Sequence, residues 1–592
     1  MKANSLIKRV LVKKERLYVK EGQPLSSVTG QLFKTNAQQF ENAQLREKAL
    51  CYLLRTSVLV QDCLFQIPLL TSANASKMPA GKLVRLRAMV QDMHEPEFYL
   101  GVYNSRHSSK PGLTNCQTGI LRDVVNSAPD YELSSEVRAS DTGQRMLFTC
   151  VSVPAQTVWA KADWSKLSSA LQSTDQSESS SAEQREKRPL EQKDGVEDGE
   201  SSRMVEGCEE AKNSQSLEKL RQSTVPLEQD KTDSLTCVVK VYHNAEAIKL
   251  NELVEFIGVL SSDFVPEESG PLRLPPSLVP RLHVLSFLNL THNNPLLTVG
   301  ESSVSNENVG EIRAGLLKVL SGFLGEDSLS AEFLLCHLVS SVYIRRDLMA
   351  VGKYSLNLFG VDCNQSFGKS LYDFLTQLLP QVVYLPLTIA ELNSKPFVPH
   401  KDYSTDRLVS ARLQLPAGTV LIIDETQMQP GQLNEIGIRN VAALRSLISH
   451  QKVDYDFHYH TCEFQTDLNV LLISEGKSML GCDCAMPVVH KNSESFGAEP
   501  QLTPTQWNQY RRFVTLARLT DYQLSSNVQD MVETDFVEMR QQNPSITGEH
   551  LHGCLVLARL LALSHQETEM SIDTWKRAKV LEQLRNGRLN SA

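Results

Sequence analysis

The run Gly418-Thr-Val-Leu-Ile-Ile-Asp-Glu-Thr426 ends four consecutive apolar residues, Val420 to Ile423, in the paired acids Asp424 and Glu425. A short unbroken apolar run fits a strand buried on both faces, as in a parallel sheet covered by helices. Asp-Glu at the carboxyl end of such a strand is the arrangement of a Walker-B segment, where the Asp holds Mg²⁺ and the Glu polarises the attacking water. The same residues also describe a core strand ending in two solvated acids. A phosphate cradle needs G-x-x-x-x-G-K-[ST], because glycines let backbone N–H groups converge on phosphate oxygens. The chain offers Gly360-Val-Asp-Cys-Asn-Gln-Ser-Phe-Gly-Lys-Ser370. Gly368-Lys369-Ser370 is in place, but Cys363 stands where the first glycine belongs, Gly360 comes three residues too early, and Phe367 adds bulk. Ser474-Glu475 follows the apolar run 468–473, where a polar sensor residue is expected, and an acid there repels a γ-phosphate. The residues read as an NTPase-derived core that does not hydrolyse nucleotide. Lys369, Ser370, Asp424 and Glu425 are its remaining candidates for nucleotide binding.

A second cluster has metal-ligand chemistry. His458, His460 and Cys462 alternate in Asp456-Phe-His-Tyr-His-Thr-Cys462, which places them on one face if the segment is a strand. Cys482 and Cys484 would complete a zinc shell. The spacing matches no familiar zinc module, and alternating polar residues also mark a plain solvent face. No C-x-x-C pair and no G-x-S-x-G occurs, and no carboxylate pair is distinctive enough to argue hydrolysis. The sequence thus gives no catalytic residue and implies no cofactor.

The elements that would position these residues follow from pattern. At 592 residues the chain needs several cores, and a net charge of −9 argues against coating nucleic acid by bulk electrostatics. Twelve scattered cysteines read as a reduced intracellular chain. No apolar run approaches the roughly twenty residues that span a bilayer. Residues 1–65 form a poorly patterned N-terminal region with helical spacing over 38–54. Short strands are expected at 83–90, 98–103, 146–153, 235–242 and 253–260, making an OB-like β-barrel domain over 66–265. Residues 166–233 are rich in Ser, Glu, Gln and Lys and read as a disordered insertion. A proline-containing connector spans 266–309. Strands and helices then alternate through an ATPase-like α/β core over 310–500, and 501–592 is a helical region resembling a lid. The fold class is multidomain α/β: an interrupted OB-like barrel, then a degenerate AAA+/P-loop-like core.

Longer segments go beyond pattern. Met89-Val-Gln-Asp-Met-His-Glu-Pro-Glu-Phe-Tyr-Leu-Gly-Val-Tyr103, Pro276-Ser-Leu-Val-Pro-Arg-Leu-His-Val284 with Asn294-Pro-Leu-Leu297, and Phe397-Val-Pro-His-Lys-Asp-Tyr403 resemble the mini-chromosome maintenance (MCM) complex-binding protein family. Further similarity lies in Tyr343-Ile-Arg-Arg-Asp347, Lys452-Val-Asp-Tyr-Asp-Phe457, Asp535-Phe-Val-Glu-Met-Arg540 and Trp575-Lys-Arg-Ala-Lys579. The resemblance runs from about 66 to 588 except across the polar insertion. It implies a nuclear, non-enzymatic protein that binds MCM helicase subunits, takes part in DNA replication and in unloading MCM from chromatin, and supports sister-chromatid cohesion. Chromatin association would be indirect, with no membrane or small-molecule substrate. The competing readings are an active ATPase remodeller and an OB-type single-strand nucleic-acid binder.

Overall fold

Alternating apolar residues commit five strands to a shared interior. In the computed structural model, Val84, Leu86, Ala88 and Val90 point inward from Leu83–Met93 (β1), and Phe148 and Cys150 from a later strand join them in one buried core. The structure describes residues 67–118, 121–124, 131–133, 142–169, 215–261, 274–297, 308–347, 349–361, 366–492, 496–524, 526–542, 544 and 547–591. Contacts divide the chain into two units, the first built from residues up to Val153, Ser165–Leu290 and Asp402–Val409, the second from the remainder.

In the first unit, Glu97–Leu100 (β2), Val102–His107 (β3), Lys110–Thr118 (β4) and Tyr131–Leu133 (β5) follow β1. Thr142–Ser152 (β6), Thr236–Val241 (β7), Leu253–Leu260 (β8) and Arg281–Asn289 (β9) complete it. The order β1-β8-β9-β7-β6 closes through an additional β1–β6 pairing into a five-stranded barrel, with β7 and β9 parallel and the other pairs antiparallel. Closure needs Gly258, where the β8–β9 register shifts and where an added Cβ would stand 2.3 Å from the His283 carbonyl oxygen.

The structure corrects three sequence expectations. The stretch 98–103 is not a barrel strand: β2 pairs with β6 outside the ring, and β3 joins β4 and β5 in a separate sheet. The fifth barrel strand is β9, which lies within the expected connector 266–309. Pro280 reads as a break in the sequence, yet a proline immediately before a strand withholds no ladder hydrogen bond from it. The expected disordered insertion also extends too far. Residues 215–224 are helical, and Leu220, Val225 and Leu227 are buried, a local apolar set that the average composition concealed. The helix expected over 38–54 and the centre of the insertion, 170–214, lie outside the described residues.

On the outer barrel surface, Asp123 accepts hydrogen bonds from Lys240 Nζ at 2.6 Å, Arg145 Nη2 at 3.0 Å and Ser261 Oγ at 2.9 Å, and His283 Nε2 stands 3.4 Å away. Glu97 receives Arg145 Nε at 2.8 Å and faces Lys240 Nζ at 3.4 Å. Two buried cations thus meet two carboxylates. Burial pushes the His283 pKa down against the pull of Asp123, so the ring stays neutral near neutral pH.

The second unit holds five parallel strands: Leu356–Phe359 (β12), Val382–Pro386 (β13), Val420–Asp424 (β16), Asn469–Ser474 (β19) and Cys484–Pro487 (β20). Their spatial order is β13-β16-β19-β12-β20. Smaller elements are Ile344–Arg346 (β10) with Met349–Val351 (β11), His400–Asp402 (β14), and Lys452–Asp456 (β17) with Thr461–Gln465 (β18); Arg407–Val409 (β15) belongs to the first unit. The helices are Val158–Ser169 (α1), Val309–Phe323 (α2), Ser328–Val339 (α3), Phe367–Leu378 (α4), Ile389–Ser394 (α5), Glu435–His450 (α6), Pro504–Leu519 (α7), Ser526–Gln542 (α8), Gly548–Ser564 (α9) and Ile572–Ser591 (α10). The segment Pro154–Trp164, expected in the barrel domain, belongs to the second unit. Trp159 Nε1 donates to Leu379 O at 3.1 Å, and the Arg511 guanidinium lies 4.1 Å from the Trp159 ring centroid.

Helix α3 is apolar on nearly every side and is correspondingly buried. Its N-cap, Asp327, is 1% exposed and accepts from Leu329 N and Ser330 N. The same carboxylate accepts from Val489 N at 3.1 Å and from both terminal nitrogens of Arg588 on α10 at 2.7 and 2.8 Å. One side chain therefore ties α3, the chain beyond β20 and α10 together. Burial raises the Asp327 pKa, but the bonds from Arg588 and Ser330 outweigh it and hold it below the usual value. Asp327→Ala is expected to destabilise this unit by about 3 kcal/mol, since it removes a cap and leaves Arg588 without its buried partner. Urea unfolding followed by tryptophan fluorescence would measure this.

Candidate functional site

The carboxyl ends of the parallel strands carry the residues singled out by sequence. Strand order changes direction between β12 and β19, where open α/β sheets hold their ligands. Here Gly360 N donates to Glu475 O at 3.1 Å, joining the ends of those two strands. Residues 362–365, including Cys363, lie outside the described residues. Phe367, Gly368, Lys369 and Ser370 form the first turn of α4, with Lys369 exposed.

Asp424 is 1% exposed and stands directly against that turn. A Cβ built on Gly368 would lie 2.2 Å from Asp424 Oδ2, so only glycine fits there. The carboxylate is engaged at both oxygens: Tyr384 Oη donates to Oδ2 at 2.6 Å, and Thr426 N and Oγ1 donate to Oδ1 at 3.0 and 2.6 Å. Burial and the neighbouring carboxylate both push the Tyr384 phenol well above its usual pKa, which keeps it a donor. Negative charge at a helix N-terminus is favourable. Asp424 supplies that charge from within the protein.

Glu425 is also engaged. It accepts from Ser478 Oγ at 2.7 Å and Met479 N at 3.2 Å, and burial raises its pKa. Phe367, read in sequence as bulk in a loop, is a buried anchor stacked on Phe496 with ring centroids 4.5 Å apart. The following Gly497 has φ +73°, and a Cβ there would stand 3.7 Å from Ser370 Cβ. Among the described residues, Asp424, Phe496 and Gly497 thus pack against the first turn of α4. Tyr384, Phe496 and Gly497 were not identified from sequence. Tyr384 left one trace, a polar tip interrupting the apolar strand Val-Val-Tyr-Leu-Pro.

The structure corrects the expected strand placement of the histidines. His458 and His460 lie in the turn between β17 and β18, with His458 at φ +62°. The His460 ring stacks on Phe457, centroids 5.3 Å apart, while His458 meets Tyr459 edge-on. Cys462 alone sits in β18. Burial pushes the Cys482 and Cys484 thiols up to about 11 and about 12. No group of three His, Cys, Asp or Glu residues that could hold a metal ion occurs among the described residues. Phe397 of the segment 397–403 is a buried anchor whose N–H donates to Asn440 Oδ1 at 2.8 Å.

Fold and site together define a two-unit protein, a closed barrel and a five-stranded parallel sheet whose terminal acids bind the protein itself. The chain belongs to the family described as mini-chromosome maintenance replisome factor, whose model matches residues 55–589. It is 37% identical over 586 residues to the mini-chromosome maintenance complex-binding protein of Rattus norvegicus, covering 88% of this chain and 91% of that protein. The Homo sapiens protein of that name is 36% identical over the same coverage. The Arabidopsis thaliana protein is 33% identical across 89% of this chain and 91% of its own length. No helix among the described residues is long and apolar enough to cross a membrane.

Proposed function

We propose that this protein is a nuclear, non-enzymatic regulator of DNA replication that binds MCM helicase subunits, handles or unloads them from chromatin, and supports sister-chromatid cohesion. The observation that carries this reading is the near full-length similarity to proteins named for binding the MCM complex. The barrel's strand order, with its third and fifth strands parallel, supports an OB-like assignment. The sheet order, with the first strand between the fourth and fifth, supports an ATPase-like core carrying a C-terminal helical lid. Such a layout resembles an MCM subunit, and a look-alike that cannot hydrolyse nucleotide would cap or compete for a subunit interface.

The engaged states of Asp424 and Glu425 favour this reading over an ATPase. Calorimetric titration of the full chain with Mg·ATP is expected to give no saturable binding. Lys369→Ala and Glu425→Gln are expected to leave affinity for MCM subunits within about twofold, the scale of a peripheral change. Saturable ATP binding that Lys369→Ala abolishes would instead establish the remodeller reading. Salt-sensitive binding of a single-stranded oligonucleotide would move the function to the barrel.

A further inference from the structure

The hairpin β10–β11 is held rigidly yet leaves an apolar face uncovered. Arg345 fixes its base, donating to the carbonyls of His450 at 3.3 Å, Gln451 at 3.2 Å and, in a third bond, Thr466. Asp467 adds a second anchor, accepting from Val342 N at 3.0 Å and from Arg518 Nη2 at 3.2 Å. Gly352, at φ +96°, lets the Tyr343 ring lie against the backbone, because a Cβ there would stand 2.5 Å from Tyr343 Cδ1. Despite this support, Tyr343 is 52%, Ile344 38% and Met349 61% exposed. Arg346 is exposed beside them.

The charge beneath the hairpin is not balanced. Arg559 on α9 is 5% exposed, and its Nε and Nη1 have no hydrogen-bond partner among the described residues. Its guanidinium instead lies 4.1 Å from the Tyr343 ring centroid and 5.7 Å from that of Tyr522. The hairpin and its supports carry Arg345, Arg346, Arg518 and Arg559 against Asp347 and Asp467. A buried guanidinium without a full counter-charge costs stability, and an anionic partner brought alongside would offset that cost. Exposed aromatic and Met side chains next to Arg have the composition of a protein-binding patch.

We propose that the face formed by Ile344, Arg346 and Met349, with the exposed rim of Tyr343 at its edge, is the docking surface for an acidic, apolar-flanked segment of an MCM subunit. This rests on the MCM-binding reading above and names the surface that performs it. Apolar residues of the segment cover Ile344 and Met349, and its carboxylates meet Arg346 and the field of Arg559. Attraction of this kind is screened by salt.

The test uses full-length wild type, Arg346→Glu and Met349→Glu, each titrated against individually purified recombinant MCM subunits. Both substitutions lie at exposed positions, and thermal unfolding is expected to match wild type. Each is expected to weaken binding at least tenfold, and Arg346→Lys to retain it. Wild-type binding is expected to weaken as NaCl rises from about 0.1 to about 0.5 M. Undiminished binding by both Glu variants would overturn the surface while leaving the MCM-binding reading intact. A wild type that binds no MCM subunit would overturn both. Self-association of the wild type that the Glu variants abolish, with MCM binding unchanged, would assign the face to a second copy of this chain and overturn the proposal.

Discussion

Gly368→Ala is expected to destabilise the parallel-sheet unit by about 2–3 kcal/mol, although the same exchange in an open helix is stabilising. The new Cβ would stand 2.2 Å from Asp424 Oδ2. The carboxylate cannot retreat without breaking its bonds from Tyr384 and Thr426. Overpacking of this kind outweighs the roughly 1 kcal/mol that alanine gains over glycine within a helix. Gly310 on α2 is the control, since a Cβ there meets nothing within 4 Å. Gly310→Ala should be neutral or stabilising. All four tryptophans, Trp159, Trp164, Trp507 and Trp575, lie in this unit, so fluorescence during urea unfolding reports it selectively. Pairing Gly368→Ala with Asp424→Ala should recover part of the loss, because the two changes share one contact. Equal effects at Gly310 and Gly368 would remove the claim that Asp424 fills the helix start.

Asp123→Ala should be the most damaging single change in the barrel unit, costing about 3–5 kcal/mol. It leaves Lys240 and Arg145, buried to 0% and 2% exposure, with Glu97 as their remaining carboxylate contact in this cluster. That unit has no tryptophan, so amide hydrogen exchange along β6 and β7 is the suitable measurement, and exchange is expected to accelerate. Burial raises the Asp123 pKa, but contact with His283 and the ion pair with Lys240 lower it further, and the lowering prevails. A carboxylate with a depressed folded-state pKa stabilises above its unfolded value and loses that contribution as pH falls through the folded one. Wild-type barrel stability should therefore decline as pH falls below about 4, where an unfolded Asp binds its proton. The variant should show a shallower acid slope.

Patterns that depend on near neighbours were legible in the sequence. The Val420–Ile423 run, the strands flanking it and the C-terminal helices all follow from apolar periodicity, and α9 falls where its amphipathic spacing placed it. What could not be read depends on residues distant in the chain. Asp424 looked available because nothing within a few residues shows Tyr384, forty positions earlier, donating to it. Phe367 looked like an obstruction because its stacking partner, Phe496, lies beyond four further strands of the parallel sheet. β9 was hidden by the prolines before it, and the helix over 215–224 by averaging across a polar stretch. The strand expected for the histidines missed a local feature: alternation over 456–462 spans a turn, with Phe457 and His460 stacked across it. The segments carrying the family resemblance include core anchors. Asn294 Nδ2, for example, donates to Arg511 O and Thr515 Oγ1. Such residues reveal kinship more readily than they reveal a site.

Binding to MCM subunits without nucleotide chemistry is tested most directly by mixing the full-length protein with each purified MCM subunit in nucleotide-free buffer and weighing the products by light scattering after gel filtration. The expected result is a complex of defined mass with at least one subunit, formed equally by wild type and Lys369→Ala. Failure to form a complex with any subunit, or a complex that requires ATP and is lost in Lys369→Ala, would contradict it.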